Sequence, residues 1–181
     1  LNAYIGSDAA LEIQSGLIKR GDGKLIQAAF LFCDIRRFTI LSNEHPLPDV
    51  LTMLNGVFEI VVTAVQESGG QVLKFIGDGI LATFDEDPSD TRNASERGIS
   101  AALTIQAALR TYNQQRTASG HDEVKVGIGL HYGTAMYGNI GAPGRLDFTV
   151  IGPAVNLTSR LESLCGLLDS QILVSRDIAK N

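Results

Sequence analysis

Leu73-Lys74-Phe75-Ile76-Gly77-Asp78-Gly79-Ile80-Leu81-Ala82-Thr83-Phe84 sets two short apolar segments on either side of Gly-Asp-Gly. That tripeptide favours a tight reversal, so Gln71–Ile76 and Ile80–Phe84 are predicted strands of a hairpin. A second apolar run, Phe30-Leu31-Phe32-Cys33-Asp34, also ends on an aspartate, inside a predicted strand over Lys24–Ile35. A carboxylate at the end of a buried run is costly unless it is paired or bound to metal. Two of them together suit a hard cation such as Mg²⁺, which takes one or two carboxylates plus substrate phosphates. Taken singly, each has a plainer reading. Asp78 is an ordinary turn residue and Asp34 a helix cap before Arg36–Asn43.

Outward from the hairpin, the pattern alternates strands and helices. A short helical turn is predicted over Phe38–Asn43. A long helix opens at Pro46 and Pro48, with Val50, Leu51, Leu54, Val57, Phe58, Val61, Val62 and Val65 at helical spacing, and stops at Ser68-Gly69-Gly70. A second long helix is expected over Asp90–Thr117. A second hairpin is expected from Val124–His131 and Thr134–Ile140. A loop at Gly141–Gly144, a strand over Leu146–Ile151, a helix over Pro153–Leu164 and a strand over Gln171–Val174 complete the chain. This order predicts an α+β, ferredoxin-like sandwich, an antiparallel-rich sheet with helices packed on one face. In that arrangement the first strand lies beside the first hairpin, and Asp34 approaches Asp78. Residues 1–23 read as a connector from an upstream domain, and 24–181 as the functional domain.

The chain has 181 residues, 44% hydrophobic and 19% charged, enough apolar content for a real core. Its net charge of −5 argues against non-specific nucleic-acid binding. Two cysteines, Cys33 and Cys165, fit a reducing, cytoplasmic compartment. No apolar stretch reads as a membrane span, so no membrane contact is expected from this segment. Leu1 in place of Met reads as a piece of a longer protein, which leaves room for a membrane tether or a sensor elsewhere. Gly127-Ile-Gly-Leu-His-Tyr-Gly superficially suits a dinucleotide site, but its glycines fall within a strand and no helix follows. Arg36-Arg37 reads either as a solvated pair or as one facing a polyphosphate.

Pro153 suits the first turn of a helix, on which Asn156 and Arg160 are four apart and share one face. An amide and a guanidinium on one face suit a sugar and a phosphate together. The plainer alternative is a solvated face, with Arg160 paired locally to Glu162.

Four segments in order resemble the class III nucleotidyl cyclase catalytic domain: Phe32-Cys-Asp-Ile-Arg-Arg-Phe-Thr39, Leu73-Lys-Phe-Ile-Gly-Asp-Gly79, His131-Tyr-Gly with Gly138-Asn-Ile-Gly141, and Phe148-Thr-Val-Ile-Gly-Pro-Ala-Val-Asn-Leu-Thr-Ser-Arg-Leu-Glu162. The resemblance implies an adenylyl cyclase that converts ATP to cyclic AMP and pyrophosphate with two Mg²⁺ or Mn²⁺ per site, working as a head-to-tail homodimer. It implies Asp34, Asp78 and the Ile35 carbonyl as metal ligands. It places backbone N–H groups of the Arg36–Thr39 turn, at Phe38 and Thr39, on the phosphates. Lys74 and Thr149 fall on the base-reading positions, Asn156 on the ribose position and Arg160 on the transition-state position. These last four would act across the dimer interface. Lys with Thr is similar to the subgroup that includes bicarbonate-responsive adenylyl cyclases. Guanylyl cyclases usually carry Glu and Cys there. A guanylyl cyclase, or a non-catalytic module for dimerisation or nucleotide sensing, is the alternative. Arg37 stands where the family often has glycine, and Pro153 where Asp or Asn is usual. A phosphate-binding lysine of the family is expected beyond Asn181.

Overall fold

The computed structural model describes residues 21–142 and 145–180. Strand β1 (Gly23–Ile35) leads into a short helix α1 (Phe38–Glu44) and the long helix α2 (Leu47–Glu67). The hairpin of β2 (Gln71–Ile76) and β3 (Gly79–Asp85) follows, then α3 (Ala94–Ala118). Next come β4 (Val126–Ala142), β5 (Arg145–Ile151), α4 (Pro153–Leu167), β6 (Ile172–Val174) and a last short helix α5 (Arg176–Lys180). The sheet runs β2-β3-β1-β4-β5, antiparallel throughout, and β6 adds a parallel pairing to β4. The expected α+β architecture is present.

The expected hairpin over 124–140 is absent. β4 is one continuous strand of 17 residues, and Tyr132-Gly133 passes straight through it. The reason is its partner. β1 pairs with it from Gly23↔Gly138 to Ile35↔Val126 without a break, so a reversal at Gly133 would discard half of that ladder. β4 instead turns into β5.

The helices occupy both faces, not one. α2 buries Val50, Met53, Val57, Val61, Ala64 and Val65, and α3 buries Ala94, Ala101, Ala102, Ile105 and Leu109. These meet Ala29, Leu31, Cys33 and Ile35, the odd positions of β1. Each buried aliphatic side chain contributes about 1.5–3 kcal/mol. The even positions, Ala28 and Phe30, face the other way and pack with Leu81, Tyr137, Val150 and Ala154 of α4. Asp34 shares that second face.

Two further expectations shift. α3 begins four residues later than Asp90, because Asn93 caps it: its side chain accepts from the Glu96 N–H at 2.9 Å while its own N–H donates to the Glu96 carboxylate at 3.0 Å. By length and apolarity, α2 is one candidate membrane span, which the reading of the sequence did not register. Its Val61 and Val65 are wholly buried against the sheet, as a core helix requires.

Candidate active site

Antiparallel register sets Asp34 opposite Gly79, at the end of β1 and beside the hairpin turn. Gly77 makes that turn with φ 62°, a left-handed conformation that costs glycine little. A Cβ on Gly79 would lie 2.9 Å from the Phe32 ring and 3.4 Å from Asp34 Oδ1, so the residue after Asp78 has no room for a side chain. The turn therefore delivers Asp78 to Asp34, close enough for its carboxyl to raise the Asp34 pKa. Asp34 Oδ1 also accepts from the Ile35 N–H at 3.0 Å.

The electrostatics follow from that meeting. Burial first, then the neighbouring Asp78 carboxyl, then Glu162, push the Asp34 carboxyl up to about 7. Two half-buried carboxyls held against each other form an all-oxygen donor set with excess negative charge. A hard divalent cation fits this set, with phosphate oxygens supplying the remaining ligands. Among the described residues no group of three or more His, Cys, Asp or Glu side chains is placed to hold a metal unaided.

Lys74 lies on β2 just past a register shift between Val72 and Lys74, which leaves Leu73 as an extra residue. Its ammonium forms an ion pair with Asp147 of β5. The sheet is thus curled until its two edge strands meet. Thr149, two residues along β5 and half-buried, stands opposite Gly138.

α4 presents its sequence-predicted residues outward. It buries Ala154, Thr158, Glu162 and Cys165, and leaves Asn156 and Arg160 exposed one turn apart. Among the described residues no hydrogen bond or ion pair joins Asn156 or Arg160 to Asp34 or Asp78. Local pairing of Arg160 with Glu162 does not occur, since Glu162 is only 7% exposed and turned to the sheet. Phe38 starts α1 and packs on the core, while Thr39 is exposed. The residue capping α1 is Arg37 rather than Asp34, with φ 58°.

Three features went unread in the sequence. Asp147 carries no spacing signal, and Glu162 reads in the sequence only as a local partner of Arg160, not as a group turned to the sheet beneath α4. The glycines of Gly127-Ile-Gly129 had no assignment beyond a rejected one. They are the floor on which α4 lies: a Cβ on Gly127 would fall 2.5 Å from the Glu162 carboxylate, and one on Gly129 2.5 Å from the Glu162 backbone nitrogen. A groove of about 240 Å³ between α3 and the start of β4, lined by Gln106, Arg110 and Lys125 among others, holds none of these residues.

Residues 24–180 match the family described as the adenylate and guanylate cyclase catalytic domain. The chain belongs to that family. An adenylate cyclase of Anabaena cylindrica is 34% identical over 184 residues, covering 99% of this chain and 35% of the relative. The chain thus spans about a third of that relative's length. Among solved structures, a bacterial light-regulated adenylyl cyclase superposes with a TM-score of 0.85 at 27% identity, covering 99% of this chain and 52% of that one. The guanylyl cyclase Cya2 superposes with a TM-score of 0.76 at 32% identity, covering 87% and 79%. This cyclase domain therefore has similar relatives named for each nucleotide.

Proposed function

We propose that this cyclase domain forms 3′,5′-cyclic AMP and pyrophosphate from ATP, at sites shared between two copies of the chain. The observation that carries the reading is the Asp34–Asp78 pair, brought together by register and turn and left with uncompensated negative charge. Asp34, Asp78 and the Ile35 carbonyl would hold two Mg²⁺ or Mn²⁺ ions. When bound, such ions lower the pKa of the ribose 3′-hydroxyl and offset charge on the triphosphate.

The chain's own residues do the rest. Asn156 would orient the ribose, and Arg160 would offset charge developing at the α-phosphate. The turn into α1 would place the Phe38 and Thr39 N–H groups near the outer phosphates. Lys74 would donate to an acceptor on the base, and the Thr149 hydroxyl would accept from the adenine amino group. The 3′-oxygen forms a bond to the α-phosphorus, the bond from that phosphorus to the α–β bridging oxygen breaks, and the hydroxyl proton passes to solvent. Asn156 and Arg160 are exposed and, among the described residues, make no hydrogen bond or ion pair with the aspartates of their own chain. That supports a head-to-tail homodimer in which each site takes metals from one chain and the exposed α4 face from the other.

Product formation from Mn²⁺-ATP by the full chain tests the reading, with Asp78→Ala as the control. Cyclic AMP from the unsubstituted chain and none from a folded Asp78→Ala chain is expected. No product from either would overturn it. The likeness to Cya2 makes guanylyl cyclase the second reading, and equimolar ATP and GTP in one assay decide between them. An upstream regulatory domain on the same polypeptide is part of the proposal, consistent with the greater length of the relatives. A cytoplasmic location for this domain, with any membrane tether elsewhere on the polypeptide, belongs to the same proposal.

A further inference from the structure

We propose that Arg36 is a positioning residue that locks the metal-bearing end of β1 to α4, so that one guanidinium sets the geometry of both half-sites on a chain. The proposal rests on the shared-site reading above. Arg36 immediately follows Asp34 and Ile35. Its backbone N–H donates to the Lys125 carbonyl at 2.8 Å, extending the β1–β4 ladder one step past Ile35. Its side chain is half-buried and reaches toward the end of α4. Nη2 donates to the Ser170 carbonyl at 2.7 Å, in the turn that ends α4.

That turn is itself fixed. Asp169 is left-handed, with φ 48°, and the Ser170 N–H returns to the Cys165 carbonyl at 2.9 Å. The guanidinium also fills space that two glycines leave open. A Cβ on Gly127 would lie 3.0 Å from Nε, and a Cβ on Gly166 would lie 2.7 Å from Nη1. The Glu162 carboxylate sits in the same gap, within the field of Arg36. One side chain thus borders β4, the last turn of α4 and the turn that follows it. The strand it springs from carries Asp34, and the helix it grips carries Asn156 and Arg160.

In the dimer these two elements serve different sites. Asp34 acts in one, while Arg160 of the same chain acts in the other. Loss of the guanidinium would therefore loosen a metal half-site and a nucleotide half-site at once. Groups that hold binding residues in place typically cost 10–100-fold in metal affinity or activity when removed.

A single-site dimer separates the two effects. One chain carries Asn156→Ala with Arg160→Ala and supplies only the aspartates, and the other carries Asp78→Ala and supplies only the α4 face. Arg36→Met is placed on either chain in turn. A fall in kcat of about ten-fold or more is expected from each placement. The Mn²⁺ concentration for half-maximal rate should rise only when the substitution is on the aspartate-supplying chain. Arg36→Lys, which keeps one donor but not the fork, should recover part of each loss. A loss from one placement only, or from neither, overturns the proposal.

A second measurement needs no turnover. Calorimetry with Mn²⁺ on the full Arg36→Met chain should show weaker binding, and amides at the end of α4 should exchange faster. Unchanged binding and exchange also overturn it. If the unsubstituted single-site pair makes no cyclic AMP, the shared-site reading fails, while calorimetry and exchange still decide the role of Arg36.

Discussion

Lys74 on β2 and Asp147 on β5 form an ion pair that joins the two outer edges of the sheet. Both are partly exposed, so the pair contributes little to stability, about 0–1 kcal/mol. On the proposed reading, it fixes the Lys74 ammonium against the strand that carries Thr149. Asp147→Ala should change the midpoint of urea unfolding only slightly. It should lower kcat/KM for ATP several-fold and narrow the preference over GTP. Lys74→Ala should cost more, about ten-fold or beyond, as loss of a charged hydrogen bond does. Steady-state rates with both nucleotides check this. Equal rates across the three chains would contradict it.

Asp34 makes stability depend on pH. Its folded pKa, about 7, lies above its ordinary value, so the folded state holds its proton more tightly than the unfolded state. The sign follows: Asp34's contribution is complete below pH 4 and is lost as pH rises toward 7. In chelator, the melting temperature should fall over that window, and Asp34→Asn should flatten the fall. Added Mn²⁺ should raise the melting temperature more at pH 8 than at pH 6, because cation and proton compete for one carboxylate. Melting curves across pH with and without Mn²⁺ would show it.

Arg37 adopts φ 58°, ψ 29° at the start of α1, a conformation costing a residue with a Cβ roughly 1–2 kcal/mol. Glycine there removes that strain but gives back part of the gain through a freer unfolded chain. Arg37→Gly should therefore stabilise by about 0.5–1 kcal/mol in urea unfolding. A destabilised variant would mean that the exposed guanidinium makes a compensating contact.

Gly129 has backbone atoms of α4 pressed against the place a Cβ would take. Backbone cannot rotate aside as a side chain can, so Gly129→Ala should destabilise by about 1–3 kcal/mol. By lifting α4 it should reduce turnover more than it weakens Mn²⁺ binding at Asp34 and Asp78. Rates and calorimetry on one preparation separate the two.

Much of this site was legible because it lies on local patterns. Gly77-Asp78-Gly79 encodes its own turn, and the apolar run into Asp34 encodes a strand whose end must meet that turn. Asn156 and Arg160 share a helix face by spacing alone. The rest depends on contacts between distant segments, which no local pattern records. Tyr132-Gly133 looked like a reversal because glycine permits one, yet β1 supplied a ladder long enough to hold β4 straight. Gly127 and Gly129 looked unoccupied until α4 was laid across them. Arg36 reads in the sequence as a solvated charge or as one facing a polyphosphate, because its acceptor, the Ser170 carbonyl, lies 134 residues away.

Leu73, the one surplus residue in β2, decides which side of the sheet its neighbour serves. Side chains along a strand alternate, so an extra residue reverses the parity of everything on one side of it. Val72 pairs with Ala82 and Lys74 with Leu81, where an unbroken ladder would have put Leu73. Leu81 belongs to the face that carries Asp34, so the miscount puts Lys74 there too. Were Leu73 itself to pair with Leu81 in an unbroken ladder, Lys74 would fall opposite Ile80 and aim into the apolar layer beneath α2.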